Sequence, residues 1–264
     1  MKNIPFFGST SVLGEVSSGR LYLDLLKPDS ITILGQSIFT EAVFVAGLTK
    51  LKQCEQNPEL SNLVNNVVQV ELARYLLSNG CQRVVLVSSS RVFDGRSPNV
   101  PIDSPHCPNT VYGLHKAAAE NGFMALGSQA KILRLTKVFS VKSAILTEWI
   151  ARLKKGEMIT AFDDVKISPV TLADATQAIE EIMFEESEQI SQLSANDEIS
   201  YFQMAQFVAS EIGADLELVK PQPAGEKGEI AIDHSSLECS RFQTVKIRSS
   251  EETIRSIVRQ LNNS

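Results

Sequence analysis

Three residue types that together can move a proton onto a carbonyl stand close together in this chain. The run RVVLV leads into Ser88, Ser89 and Ser90, and Tyr112 and Lys116 follow, spaced i to i+4. That spacing puts a phenol and an ammonium on one helix face. A free tyrosine titrates near 10, and a neighbouring cation favours its phenolate, so the pair makes tyrosine a usable acid or base near neutral pH. A serine hydroxyl at the carboxyl end of a parallel strand faces the crevice where substrates gather. Each part also has a plainer reading. A serine-rich turn can simply satisfy backbone groups, and a Tyr and Lys four apart are common on solvated helices.

The elements that must position these residues read as alternating strands and helices. IPFF (4–7), AVFVAG (42–47) and RVVLVSS (83–89) are continuous apolar runs rich in Val and Phe, the pattern of strands buried on both faces. PELSNLVNNVVQVELARYLLSNG (58–80) carries Leu60, Leu63, Val64, Val67, Val68, Leu72 and Leu76 at helical spacing and stops at Gly80, which predicts one crossover helix. A loop with four prolines then leads into the helix YGLHKAAAENGFMAL, and KILRLTKVFS (131–140) is the next strand. Helices at about 145–155, 171–184 and 201–212 and a short strand at 158–162 complete the pattern. Such alternation predicts an α/β, Rossmann-like doubly wound parallel sheet, with a core over 1–140 and a smaller C-terminal lobe over 141–264 partly packed back on it.

Composition narrows the partners. The 25 basic and 31 acidic residues leave a net charge of −6 with no basic stripe, which argues against nucleic acid. Cys54, Cys81, Cys107 and Cys239 have neither CxxC spacing nor a His at ligand distance in sequence, so no metal site is expected. With no cleavable leader pattern and no run of about eighteen apolar residues, the reading is a cytoplasmic protein with free thiols and no membrane partner.

VSSSRVFDG followed by PNTVYGLHKAAAE resembles the core of the extended short-chain dehydrogenases, and within them the dTDP-4-dehydrorhamnose reductase family, with S-T-D-Y-V-F-D-G and then N-x-Y-G-x-x-K-x-x-x-E. Asn109, Tyr112, Gly113, Lys116 and Glu120 fall on that pattern. The resemblance implies that Ser89 orients the substrate carbonyl, that Tyr112 transfers the proton, and that Lys116 lowers the tyrosine pKa while holding the nicotinamide ribose. It extends to AGLTKLKQCEQNPELSNLVN (46–65), the loop that passes beside the cofactor at Ala46, Gly47 and Leu48, to ILRLTKVFS (132–140), and to FDDVKISPVTLADATQAI (162–179). Substrate contacts are implied for Ser89, Ser90, Arg91, Tyr112 and Lys137. The implied activity is NAD(P)-dependent reduction or epimerisation of a 4-keto nucleotide sugar, with self-association as a homodimer.

Several residues also admit structural readings. Thr171 and Asp174 form a T-x-x-D helix cap, and Asp163 and Asp164 a solvated turn. His115 reads as a surface helix residue and His106 as a loop residue. Arg134 is left between an ion pair and a phosphate contact.

The N-terminal region departs from the family. GSTSVLG (8–14) lies over G-A-T-G-F-L-G, so Gly8 and Gly14 match while Ser11 replaces the glycine that lets the backbone approach a pyrophosphate. Thr10, Val12 and Leu13 complete this loop. Only Glu15 to Arg20 then precede LYLDLL, whose Asp24 and Leu25 resemble the adenine-reading segment of the family's third strand. At about 1.5 Å per helical residue and about 3.3 Å per strand residue, that linker holds no helix, turn and strand together. The first crossover helix and second strand are therefore expected to be missing, and the dinucleotide to be weakly bound. Lys137 stands where the family has a substrate-facing Trp, and Ser140 where it has Gly. A non-catalytic binding or regulatory protein on the same fold is the alternative.

Overall fold

In this computed structural model the described residues are 6–7, 39–45, 47–184, 188–227 and 232–262. A five-stranded parallel sheet is formed by Phe6–Phe7, Glu41–Phe44, Arg83–Ser89, Ala130–Leu135 and Ile190–Leu193, in that spatial order. Val43 lies opposite Val85, Val85 opposite Lys131 and Ile132 opposite Ile190. Successive side chains point to opposite faces, so each apolar run feeds two cores. Phe44, Leu86 and Ile132 pack with Leu72, Leu76 and Phe123 on one face. Val43, Val85 and Leu133 pack with Ile179, Ile182 and Leu193 on the other. The Phe44 and Phe123 rings meet edge to face at 5.4 Å.

A third apolar cluster joins Leu146, Trp149 and Leu153 to Met204, Val208, Ile254 and Val258, all from the second half of the chain. The helix Tyr201–Glu211 that feeds it starts with a capping box, in which Ser200 and Gln203 each satisfy the other's backbone N–H. The fifth strand, Ile190–Leu193, and the helix Leu172–Phe184 nevertheless belong to the central sheet and its flank.

The structure adds to the sequence reading and departs from it along the chain. The crossover helix predicted over 58–80 is present as one continuous run from Pro58 to Ser78, with a wide π turn at Leu63–Val67, and a short helix Leu51–Gln56 precedes it. Pro58 lacks an N–H, so it suits the start of a helix rather than its interior. The strand predicted over 131–140 breaks at Thr136, and Lys137–Phe139 pairs instead with Pro169–Thr171 in a separate two-stranded sheet. The Thr136 hydroxyl donates to the Ser168 carbonyl at that break. The strand Ile190–Leu193 and the helix Ser250–Asn262 were absent from the sequence reading. The proposed third strand around Asp24 lies outside the described residues.

A buried charge cluster ties the sheet to the helix Val111–Met124. Glu120, fully buried, accepts from the Ser88 hydroxyl at 2.5 Å and from Arg134 Nε and Nη2 at 3.0 and 2.8 Å. His106 Nε2 lies 2.8 Å from the same carboxylate. Arg134 also donates to the Ile102 carbonyl at 2.9 Å and to Gln192 Oε1 at 3.0 Å, and lies 5.0 Å above the Phe93 ring. Arg134 is thus a structural ion-pair partner, and His106 belongs to its cluster.

Burial opposes the charge on Glu120, but its donors hold the carboxyl below the ordinary carboxylate pKa. This contribution to stability is therefore complete above the unfolded-state value and is lost as pH falls through the lower folded value. Arg134→Met, which leaves Glu120 buried without its cation, should cost about 3–5 kcal/mol at pH 7 in urea unfolding. Glu120→Gln should be less stable than wild type at pH 7, with the gap closing on acidification. A stability of Arg134→Met within about 0.5 kcal/mol of wild type would remove the cluster's structural role.

Candidate active site

The site is built where Arg83–Ser89 ends. The Ser89 hydroxyl accepts the Arg91 N–H at 3.2 Å and starts the tight turn Ser90–Val92. Asn109 Nδ2 donates to the Asp94 carbonyl at 2.9 Å, holding the loop that follows. Thr110 caps the next helix, its hydroxyl accepting the Gly113 N–H at 3.1 Å. A Cβ on Gly113 would lie 2.1 Å from the Arg91 carbonyl oxygen, so the first helical turn rests directly on the serine turn. This close approach brings Tyr112 near Ser89, whose hydroxyl acts on the phenol. Lys116 follows one turn later and is 2% exposed.

Ser89, Ser90, Arg91, Tyr112 and Lys116 line a cavity of about 710 Å³. Val45, Gly47 and Thr49 line it from the end of the neighbouring strand, and Lys137 from beyond Ala130–Leu135. Trp149, Phe162, Tyr201, Gln222 and Lys227 form its far wall. Ser235 also lines it, on a loop held by Glu198, whose carboxylate accepts the N–H groups of Ser235 and Ser236 at 2.6 and 2.7 Å.

Burial dominates the electrostatics here. It pushes the Tyr112 phenol up to about 12, against the lowering effects of the Ser89 hydrogen bond and the Arg91 charge. It pulls Lys116 down to about 8, against the Glu120 carboxylate. Lys137 is held below the usual lysine range by burial and by Arg91, and Arg91 is lowered by burial. The sequence reading had Lys116 lowering the phenol; in the structure desolvation outweighs every nearby charge and the phenol rises. Tyr112 is thereby held protonated at neutral pH.

The cavity therefore gathers Ser89, Ser90, Arg91, Tyr112, Lys116, Lys137 and Gly47. Leu48 does not line it: its N–H donates to Asn65 Oδ1 at 2.9 Å and its carbonyl accepts from Asn65 Nδ2 at 3.1 Å. Gly8, Thr10, Ser11, Val12, Leu13, Asp24, Leu25 and Ala46 lie outside the described residues. His115 is buried rather than on the surface, its Nδ1 2.9 Å from the Ser61 hydroxyl. Thr171 caps its helix through the Asp174 N–H at 3.0 Å, and Asp174 also pairs with Arg248. Asp164 accepts the Ala224 N–H at 2.8 Å. The aromatic and polar far wall was missed, because nothing in the local pattern of Trp149 or Tyr201 marks a residue that faces a cleft. Among the described residues no cluster of His, Cys, Asp or Glu could hold a metal ion, and no helix is long and apolar enough to cross a membrane.

Lys116, Tyr112 and Thr49 line the cavity together with apolar Val45, Val87 and Leu135. That mixture suits a planar amide-bearing ring joined to a ribose, so the described end of the cleft fits a nicotinamide nucleoside.

The sequence pattern of the RmlD substrate binding domain matches residues 9–263. The beta subunit of methionine adenosyltransferase 2 from Xenopus laevis is 30% identical over 114 residues, 43% of this chain and 31% of that protein. Its Xenopus tropicalis counterpart is 26% identical over 148 residues, 56% of this chain and 42% of that protein. The matched stretch thus spans less than half the length of these curated relatives. The structure of dTDP-4-dehydrorhamnose reductase from Bacillus anthracis in complex with NADP superposes with a TM-score of 0.87 at 20% identity, covering 98% of this chain and 100% of that one. UDP-glucose 4-epimerase from Thermotoga maritima with UDP-glucose superposes with a TM-score of 0.81 at 14% identity, covering 99% of each chain. These superpositions establish the fold.

A lysine with a depressed folded-state pKa is charged at a cost below that pKa, and the cost fades as pH rises from about 8 toward the unfolded value. Lys116→Met should therefore be at least as stable as wild type at pH 7, with wild type gaining on it between pH 8 and 10. Thermal unfolding across that range checks the sign. A variant markedly less stable at pH 7 would mean that Lys116 serves the fold instead of the cleft.

Proposed function

The chain belongs to the RmlD substrate binding domain family, and we propose that it is an NAD(P)-dependent reductase or epimerase acting on a 4-keto nucleotide sugar. The observation that carries this reading is the convergence of Ser89, Tyr112 and Lys116 on one cavity at the strand ends. When bound, a nicotinamide cofactor supplies or takes up the hydride. Tyr112 and Lys116 would hold its ribose, with Val45 and Thr49 beside the ring. Ser89 donates to the substrate carbonyl oxygen and fixes its orientation. Tyr112, protonated at neutral pH, gives that oxygen its proton, and the Lys116 ammonium stabilises the phenolate left behind. A phenol protonated at neutral pH is the form that reduction of a carbonyl requires. A cavity of about 710 Å³ is within the range that small-molecule and cofactor sites occupy.

Finer points belong to the same reading. The division of the chain falls near residue 140, where the strand leaves the central sheet. Leu60, Leu63, Val67 and Leu114 expose apolar surface on neighbouring helices, and a homodimer would cover it. Loss of a helix dipole contact and of one charged hydrogen bond at the altered N-terminal loop would cost roughly 3–5 kcal/mol, on the order of 10²–10³ in dissociation constant. Fluorescence titration should therefore find NADH and NADPH both bound more weakly than low micromolar and without clear preference. Tight, selective binding would show that residues 8–20 build a competent phosphate site.

The curated relatives are subunits of methionine adenosyltransferase 2, which supports a second reading as a binding subunit without turnover. NADPH consumption with dTDP-4-dehydrorhamnose separates the two. On the enzymatic reading Tyr112→Phe keeps its circular dichroism and loses about 10²–10⁴-fold in kcat. Equal rates for variant and wild type would end the triad assignment. Cofactor binding without consumption of any 4-keto sugar nucleotide would favour the subunit.

A further inference from the structure

Two cations stand just beyond the ends of adjacent strands. Ser89 lies opposite Leu135 in the parallel register. Arg91 stands two residues beyond Ser89, in the turn Ser90–Val92, and Lys137 two beyond Leu135, at the start of Lys137–Phe139. Both side chains line the same cavity as Ser89 and Tyr112.

Their placement is rigid. The Arg91 N–H is bound by the Ser89 hydroxyl at 3.2 Å, and its carbonyl is packed against Gly113. Lys137 opens the strand Lys137–Phe139, held by parallel pairing to Pro169–Thr171. Both face one cavity, where the Arg91 charge acts on Lys137 and on the Tyr112 phenol. No carboxylate among the described residues pairs with either. Glu148, the one acidic side chain among the described residues lining the cavity, lies 3.9 Å from Arg152.

Arg91 is half-buried and Lys137 exposed on the cavity wall, and with no carboxylate partner among the described residues the two present charged donors that an anion in the cleft would complete. Their closeness to Ser89 and Tyr112 puts that anion beside the reacting carbonyl. We propose that Arg91 and Lys137 form a carboxylate-binding subsite at the reacting end of the cleft, so that the substrate is a nucleotide sugar carrying an acidic group on the sugar itself. The inference rests on the reading of the site as one for nucleotide sugars. The same cations could take their anionic oxygens from the diphosphate linkage, and the test separates the two sources.

Calorimetric titration of the full chain with UDP, UDP-glucose and UDP-glucuronate, and with the same set built on dTDP, varies the sugar at constant diphosphate. The glucuronate compound should bind about ten- to a hundredfold more tightly than the glucose compound, the worth of one or two charged hydrogen bonds. Lys137→Met should bring that ratio close to one, and Lys137→Arg should restore it. If wild type shows no preference for the glucuronate compound while UDP or dTDP binds, the subsite is overturned and the nucleotide-sugar reading stands. Equal weakening of all three ligands in Lys137→Met assigns the cations to the diphosphate and also overturns it. If no nucleotide or nucleotide sugar binds, the reading of the whole cleft fails, and the subsite with it.

Discussion

The contact between Gly113 and the Arg91 carbonyl sets the geometry of everything around it. A backbone oxygen 2.1 Å from where a Cβ would stand leaves no room for any side chain. The helix Val111–Met124 can therefore seat its first turn on Ser90–Val92 only with glycine at that position. From that seat Tyr112 reaches Ser89, and Lys116 and Glu120 follow at intervals of four along the same face. The carbonyl pressed against Gly113 belongs to Arg91, so one contact aligns Tyr112, Ser89 and a cation of the cleft.

Glu120 fixes the other end of that face. Its carboxylate collects Ser88, Arg134 and His106, and Arg134 extends the cluster to Gln192 on the next strand. Such buried ions contribute little net stability compared with apolar packing, but a carboxylate with several directional donors tolerates little displacement. The helix is thus held at Gly113 by steric fit and at Glu120 by charge. Lys116 lies between these anchors, where desolvation and the Glu120 charge act on it in opposite directions.

This arrangement explains how much was legible beforehand. The strand Arg83–Ser89 announced itself through the apolar run Val84–Val87, which burial on both faces of a sheet demands. Tyr112 and Lys116 were legible because helical spacing alone puts them on one face. The helix Ser250–Asn262 carries Ile254, Ile257 and Val258 at helical spacing and could have been found. The break at Thr136 could not, since it depends on a hydrogen bond to Ser168, more than thirty residues away. The rise of the Tyr112 pKa was equally hidden: spacing reveals a neighbouring cation, whereas desolvation depends on the whole wall of the cavity. His115 was misread for the same reason, because its partner Ser61 comes from another helix.

The two halves of the cleft differ in how they are encoded. Ser89, Tyr112 and Lys116 come from one strand, one turn and one helix, so their mutual geometry follows from local structure. The far wall draws Trp149, Phe162, Tyr201 and Gln222 from separate elements whose positions depend on the C-terminal apolar cluster. Changes there can reshape the wall without moving Ser89, Tyr112 and Lys116, because the anchors at Gly113 and Glu120 draw on none of the wall's residues. Lys137 sits at the seam, on the short strand that leaves the central sheet to pair with Pro169–Thr171. A substitution at that seam therefore changes the cavity wall without touching the turn on which Gly113 rests, so the two sides of the cleft can vary separately on one fold.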